Sequence, residues 1–146
     1  MADVIFNNAR ARLRQQLLDG ADLIVVLLKA AEADATLRDY DDLAALLAEV
    51  GNEEADFTSY ERKVIANANV TATVDNNDNV LDVSIGNQTW TSAGGAENNS
   101  LVKLMVCIDG ASDSDRIPVS AADWTLTTDG SDITATEHSD GFYRSA

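Results

Sequence analysis

The sequence holds a single cysteine, Cys107, so no disulfide can close within the chain and a disulfide-stapled scaffold is excluded. With one histidine, His138, beside that cysteine, a single chain cannot supply the three nitrogen and sulfur ligands of an ordinary zinc centre. Basic residues are scarce: ten Lys and Arg stand against twenty-five Asp and Glu, for a formal net charge of −15. Residues 1–20 hold Arg10, Arg12 and Arg14 against Asp3 and Asp19, a net +1, so the rest of the chain carries −16. A body this acidic repels phosphate, which argues against nucleic acid as its partner, while docking on a basic surface stays open. Long hydrophobic runs are missing too. The longest, "LIVVLL" at 23–28, is far shorter than the roughly 20 residues that span a bilayer, so no membrane partner is expected. The N-terminal stretch is polar and then Arg-rich, unlike a secretory signal. Together with the lone thiol this predicts folding in a reducing cytosol, where the Asn-x-Ser/Thr triplets at Asn69, Asn87 and Asn98 are chance matches.

What is present suits one domain with an arm attached. A chain of 146 residues buries roughly two-thirds of its unfolded surface, and its 45% apolar content is that of a globular protein. "VIFNNARARLRQQLLDG" predicts an amphipathic helix over 8–19, capped by Asn7 or Asn8 and ended by Gly20. Leu13 and Leu17 share its apolar stripe, and Phe6 and Ala9 extend it. Arg10 and Arg14 lie one turn apart on one face, with Arg12 nearby. A helix with a single apolar stripe must dock on something. The expected division is therefore a basic helical arm, 1–20, and a β-sandwich domain, 21–146, with Phe6, Arg10, Arg12, Leu13, Arg14 and Leu17 as candidate protein-interaction residues. A solvated helix face explains the arginines equally well.

The continuous run "DLIVVLLKA" reads as a strand buried on both faces, with a helix as its rival. "TLRDYDDLAALLAEVG" predicts a short helix capped by Asp41 or Asp39, with Leu43, Leu46, Leu47 and Val50 inward and Gly51 closing it. From Tyr60 onward Thr, Val and Ile rise and turn residues recur. "RKVIANANVTATV" and "VLDVSI" read as two strands around "DNNDN", and "LVKLMVCID" as a buried strand. "DWTLTT" and "ITATEH" read as a hairpin turning at Asp129–Gly130, and "GFYRSA" as a last short strand. The predicted class is mainly β: an Ig-like β-sandwich or small barrel, with the N-terminal helix and one short helix after the first strand.

The motifs that could carry chemistry are weak. In "VDNNDNVLDV" Asp75, Asn77 and Asn79 alternate like calcium ligands, but the sixth and twelfth loop positions are Val80 and Gly86 where glycine and glutamate are needed. Turn chemistry explains the stretch better, since Asn and Asp tolerate left-handed backbone and bond to it. Cys107 lies between Val106 and Ile108 and reads as core, not nucleophile. "AGGAENN" lacks the Lys-Ser/Thr of a phosphate loop, and no Gly-x-Ser-x-Gly elbow occurs. The many carboxylates read as solvated surface. No catalytic, cofactor or metal residues are assigned. Trp90 and Trp124 are either core or sugar-stacking platforms.

From about Asp22 onward the order of features resembles small virion proteins of tailed bacteriophages. The stretches that carry the likeness are "DLIVVLLKA", "DATLRDYDDLAALLAE", "DFTSYERKVI", "VTATVDNNDNVLDVSI", "NQTWTSAGG", "LVKLMVCID" and "GFYRSA", over about 120 residues of a β-rich module. The resemblance implies a non-enzymatic head decoration or minor capsid protein. It would be located in the virion, assembled in the host bacterial cytoplasm, and bound to the major capsid protein, to other virion proteins or to its own copies, with a trimer expected. A tail or neck ring component is the alternative. A carbohydrate-binding module and a hydrolase using Asp/Glu pairs are more distant ones.

Overall fold

The computed structural model describes residues 3–6, 19–139 and 141–145. Along the chain, β1 (Asp3–Ile5) precedes β2 (Leu23–Ala30), the short helices α1 (Asp34–Leu37) and α2 (Leu43–Ala48), and the short strands β3 (Glu53–Glu54) and β4 (Lys63–Ile65). A hairpin of β5 (Thr71–Asp75) and β6 (Val80–Ser84) follows, then β7 (Gln88–Trp90), the long β8 (Ser100–Ile108) and β9 (Ile117–Thr127), and last β10 (Ile133–Ala135) and β11 (Tyr143–Ser145). The protein is mainly β, and its strands pair antiparallel in several sheets.

The main sheet runs β1-β9-β8-β2-β3, with β4 also on the outer side of β2. β2 pairs with β8 from Leu23↔Ile108 to Leu28↔Lys103, so the two most apolar runs of the sequence lie side by side at its centre. Leu23 through Leu28 are all buried, which is why this strand lacks polar alternation: both faces are covered. Each such side chain contributes about 1.5–3 kcal/mol relative to an exposed one. The β-branched Ile24, Val25 and Val26 settle the strand against its helical rival. Leu37 of α1 and Leu43 and Leu46 of α2 join the same core.

Three local expectations need correction. The cap of α2 is Asp42, one residue beyond the expected Asp41, and its Oδ1 accepts the Ala45 N–H at 2.7 Å. Backbone at Glu49 then turns extended, which leaves Val50 92% exposed and off the apolar face assigned to it. The single strand expected over "RKVIANANVTATV" is broken into β4, a 3-10 turn at Asn67–Asn69 and β5. Asn67 makes the break: its N–H donates to Asp22 Oδ1 and its side-chain amide to the Ala21 carbonyl, both at 2.9 Å, and such local bonds compete with a ladder. β5 thereby leaves the main sheet and forms its own, in the order β11-β6-β5.

The third correction concerns the hairpin at Asp129–Gly130. β9 stays with β8, and β10 pairs instead with β7, Ile133 opposite Trp90. The turn is tied locally by the Asp129 carboxylate, which accepts the Ser131 N–H at 3.0 Å, and its backbone bonds to the glycine loop: Gly130 N–H donates to the Ala93 carbonyl at 2.7 Å, and Ala93 N–H to that of Ser131 at 3.0 Å. A Cβ on Gly130 would lie 3.3 Å from Gly95 Cα, and Gly130 has φ +98°, so both space and conformation call for glycine.

Candidate functional site

Of the residues read from the sequence as an interaction surface, Phe6 is the one described. It is fully buried, and its N–H donates to the Val119 carbonyl at 3.1 Å, continuing the β1–β9 pairing. Arg10, Arg12, Leu13, Arg14 and Leu17 lie outside the described residues, as does most of the helix expected over 8–19.

The β5–β6 tip has the turn chemistry its sequence suggests. Asp75 Oδ1 accepts the N–H groups of Asn77 and Asp78 at 2.9 and 3.2 Å, and Asn79 adopts a left-handed φ of 56°. The carboxylates of this hairpin converge on Arg144 of β11. Its guanidinium meets Asp82 at 2.7 Å, Asp78 at 3.2 Å and Asp75 at 3.4 Å. Asp82, held chiefly by the Arg144 hydrogen bond, has its pKa lowered. A cation already sits among these acids, and it belongs to the chain.

The densest ionic network ties the outer strands of the main sheet to the 109–116 turn. Arg62 clasps Glu54 with Nε and Nη2, both at 2.7 Å, and Asp113 with Nη1 and Nη2 at 2.6 and 3.1 Å. Arg116 bonds Asp109 at 2.8 Å and the same Asp113 at 2.6 Å. Gripped first by Arg62 and then by Arg116, the Asp113 carboxyl is lowered to about 2. Tyr60 completes the cluster: its hydroxyl donates to Glu54 at 2.7 Å and accepts the Leu27 N–H at 3.2 Å. Burial pushes that phenol well above its usual range.

Two further braces follow the same logic. Lys103, buried on β8, reaches Asp34 of α1 at 2.6 Å and Asp123 of β9 at 2.5 Å. Burial pulls its ammonium down, but the bonds to Asp123 and Asp34 outweigh it and the net shift is upward. Glu137 accepts from the Ser84 hydroxyl and from the N–H groups of Ile85 and Gly86, at 2.8 and 3.3 Å for the latter two, so it closes the end of β6. The long-range partnerships are not legible locally, because 51 residues separate Arg62 from Asp113 and 62 separate Arg144 from Asp82, whereas Arg116 and Asp113 are only three apart.

The remaining sequence candidates fall as follows. Cys107 is fully buried, and desolvation pushes its thiol up to about 12, so it is core and not a thiolate. Trp90 is 1% exposed, and its Nε1–H donates to the Glu61 carbonyl at 2.8 Å, which makes it core as well. Trp124 stacks on it at 5.8 Å and lines a cavity of about 90 Å³ together with Leu104, Val106 and Phe142. Small-molecule sites commonly enclose about 300–1,000 Å³, so this cavity fits one side chain or ring rather than a metabolite. Glu137 and His138 border it. Among the described residues no group of three or more His, Cys, Asp and Glu is placed to hold a metal, and no helix is long and apolar enough to cross a membrane.

Comparison with known proteins adds no relative: no family model, no curated protein and no solved structure matches the chain.

Proposed function

We propose that this chain is a non-enzymatic structural protein of a tailed-bacteriophage particle, a capsid decoration or minor capsid protein that binds the head shell or its own copies. In this reading the body is an Ig-like sandwich or small barrel, its place is the virion assembled in the host cytoplasm, and its partners are the major capsid protein or other virion proteins. The reading rests on the ordered likeness from Asp22 to the "GFYRSA" strand. The structural observation that carries it is how the charged clusters are used. Arg62 and Lys103 each bridge carboxylates from separate segments, Arg144 ties β11 to the β5–β6 hairpin, and Glu137 bonds the end of β6, so these groups brace an acidic surface. Such a surface suits repeated weak contacts on a lattice, which add up through avidity.

Co-sedimentation tests this directly, using separated head shells and tails of the tailed phage whose genome encodes the chain. Saturable binding to heads supports the decoration reading, and binding to tails alone moves the protein to a tail or neck ring. Trp124, half-buried in the cavity lining, favours a second reading, the carbohydrate-binding module. No binding to either particle, with a sugar-dependent shift of tryptophan emission, would establish that one instead.

A further inference from the structure

Most strand edges in this protein carry features that stop sheets from joining. β3 is two residues, both glutamate, and β4 bears Lys63 beside Glu61 and Arg62. β7, β10 and β11 are three residues each, and β11 presents Arg144. β5 has only one of them, a charge at its end, Asp75. It is five residues long, ends the β11-β6-β5 order, and pairs with β6 without a register shift from Thr71↔Ser84 to Asp75↔Val80. Thr71, Ala72, Thr73 and Val74 are all exposed, Val74 at 65%. Residues 64–74 contain no charged side chain, in a sequence that is 24% charged. Among the described residues no strand pairs with the outer N–H and C=O groups of β5, which form a template rich in threonine and valine.

We propose that β5 pairs antiparallel with β5 of a second copy about a two-fold axis, joining two three-stranded sheets into one continuous sheet. The strand is complementary to itself. In a pairing centred on Thr73, Thr73 faces its symmetry mate, Ala72 faces Val74 and Thr71 faces Asp75. The two Asp75 side chains stand at opposite ends, and Arg144 lies against each. Residues 71–74 are uncharged, so the one acid of the strand on the line of contact is Asp75, which shares Arg144 with Asp78 and Asp82. Such a contact is isologous and closes at two copies. Threonine and valine suit such cross-strand pairs. The pairing rests on the self-assembly part of the proposed function but gives two copies where the resemblance implies three, and it does not require a phage particle.

Thr73→Cys tests the geometry. Opposed Cβ atoms in an antiparallel pair lie roughly 4.5–5.5 Å apart, close enough for a disulfide after small adjustment. Cys107 is buried, so the engineered thiol is the reactive one. Mild oxidation is expected to give a covalent dimer of Thr73→Cys and little of Val64→Cys, whose parent valine is similarly exposed on β4. Sedimentation equilibrium is expected to show a wild-type dimer and a Thr73→Lys monomer that melts as a folded protein. A wild-type chain that stays monomeric to about 1 mM overturns the proposal. So does a Thr73→Lys dimer as tight as wild type, or equal cross-linking at positions 73 and 64. A monomer that still binds head shells would sink the β5 contact and leave the virion reading standing.

Discussion

Replacing Arg62 by methionine removes the guanidinium from Glu54 and Asp113 while keeping an apolar stem of similar bulk. All three side chains are only a quarter to a third exposed, at 23%, 23% and 31%. Breaking a fully buried ion pair costs about 3–5 kcal/mol. Partial exposure screens the charges left behind, so the expected loss at pH 7 is about 2–3 kcal/mol. Its pH dependence is the sharper test. The Asp113 carboxyl is lowered from 3.8 to about 2 in the folded protein, with Arg62 the largest cause. A depressed carboxylate stabilises fully above its unfolded pKa, and that stabilisation is lost as pH falls through the folded value. The window is therefore about pH 4 down to 2, and the linked energy is about 2 kcal/mol before screening and about 1 after it. Arg62→Met raises the Asp113 pKa back toward the ordinary range, so much of that contribution is already gone in the variant. The gap between wild type and variant should narrow by about 1 kcal/mol between pH 7 and pH 2.5. Urea unfolding followed by tryptophan emission measures it, because unfolding separates the Trp90–Trp124 pair. A loss below about 1 kcal/mol at pH 7, or a gap that stays constant or widens in acid, would refute the clamp.

Phe6→Ala should cost about 3–5 kcal/mol in the same urea assay, since the ring is wholly enclosed; a loss under about 1 would mean that the side chain serves an external surface instead. Lys103→Met should be mild, about 1 kcal/mol or less, because its stem is buried while Asp34 and Asp123 keep 35% and 46% exposure to water. Calorimetry would check it, and a loss above about 3 kcal/mol would show that the ion triad is essential. Gly141→Ala and Gly86→Ala both place a side chain at positive φ, but the new Cβ at 141 would sit 2.1 Å from the Val83 carbonyl oxygen while that at 86 meets open space. Thermal melts should show a loss of about 1 kcal/mol for Gly86→Ala and clearly more for Gly141→Ala. Equal losses would mean that the 141–143 segment can move away from β6.

The parts of the fold that were legible in the sequence are those whose signal is continuous and local. Leu23–Leu28 and Met105–Ile108 announce two strands buried on both faces, and the structure sets them side by side. Asp75, Asn77 and Asn79 announce a tight turn, and the backbone makes one. What was not legible depends on distant partners. Nothing near Asn67 says that Asp22 will take its N–H and bend the chain out of the main sheet. The pattern around Asp129–Gly130 is that of a hairpin, yet the carbonyl waiting for Gly130 belongs to Ala93. The ionic braces follow the same rule. Arg62, Lys103 and Arg144 look like ordinary surface cations until the topology delivers their carboxylates. Position on an edge is likewise a property of sheet order, so the exposure of β5 could not be read from "TATVD" alone.

The chain carries its own reporter of how the sheet opens. Its one thiol stands on β8 opposite Ile24 of β2, fully enclosed at the centre of the main sheet. A reagent reaches it only when the structure packed around it opens. With an alkylating reagent slow relative to reclosing, the labelling rate of Cys107 gives the equilibrium between closed and open sheet; with a fast one, it gives the opening rate itself. Fraying confined to the β5–β6 hairpin would leave that label untouched, whereas the 109–116 turn, whose Asp113 and Arg116 act on the Cys107 thiol, lies close enough to gate it. The native sequence can therefore separate local loosening from loss of the core without a single substitution.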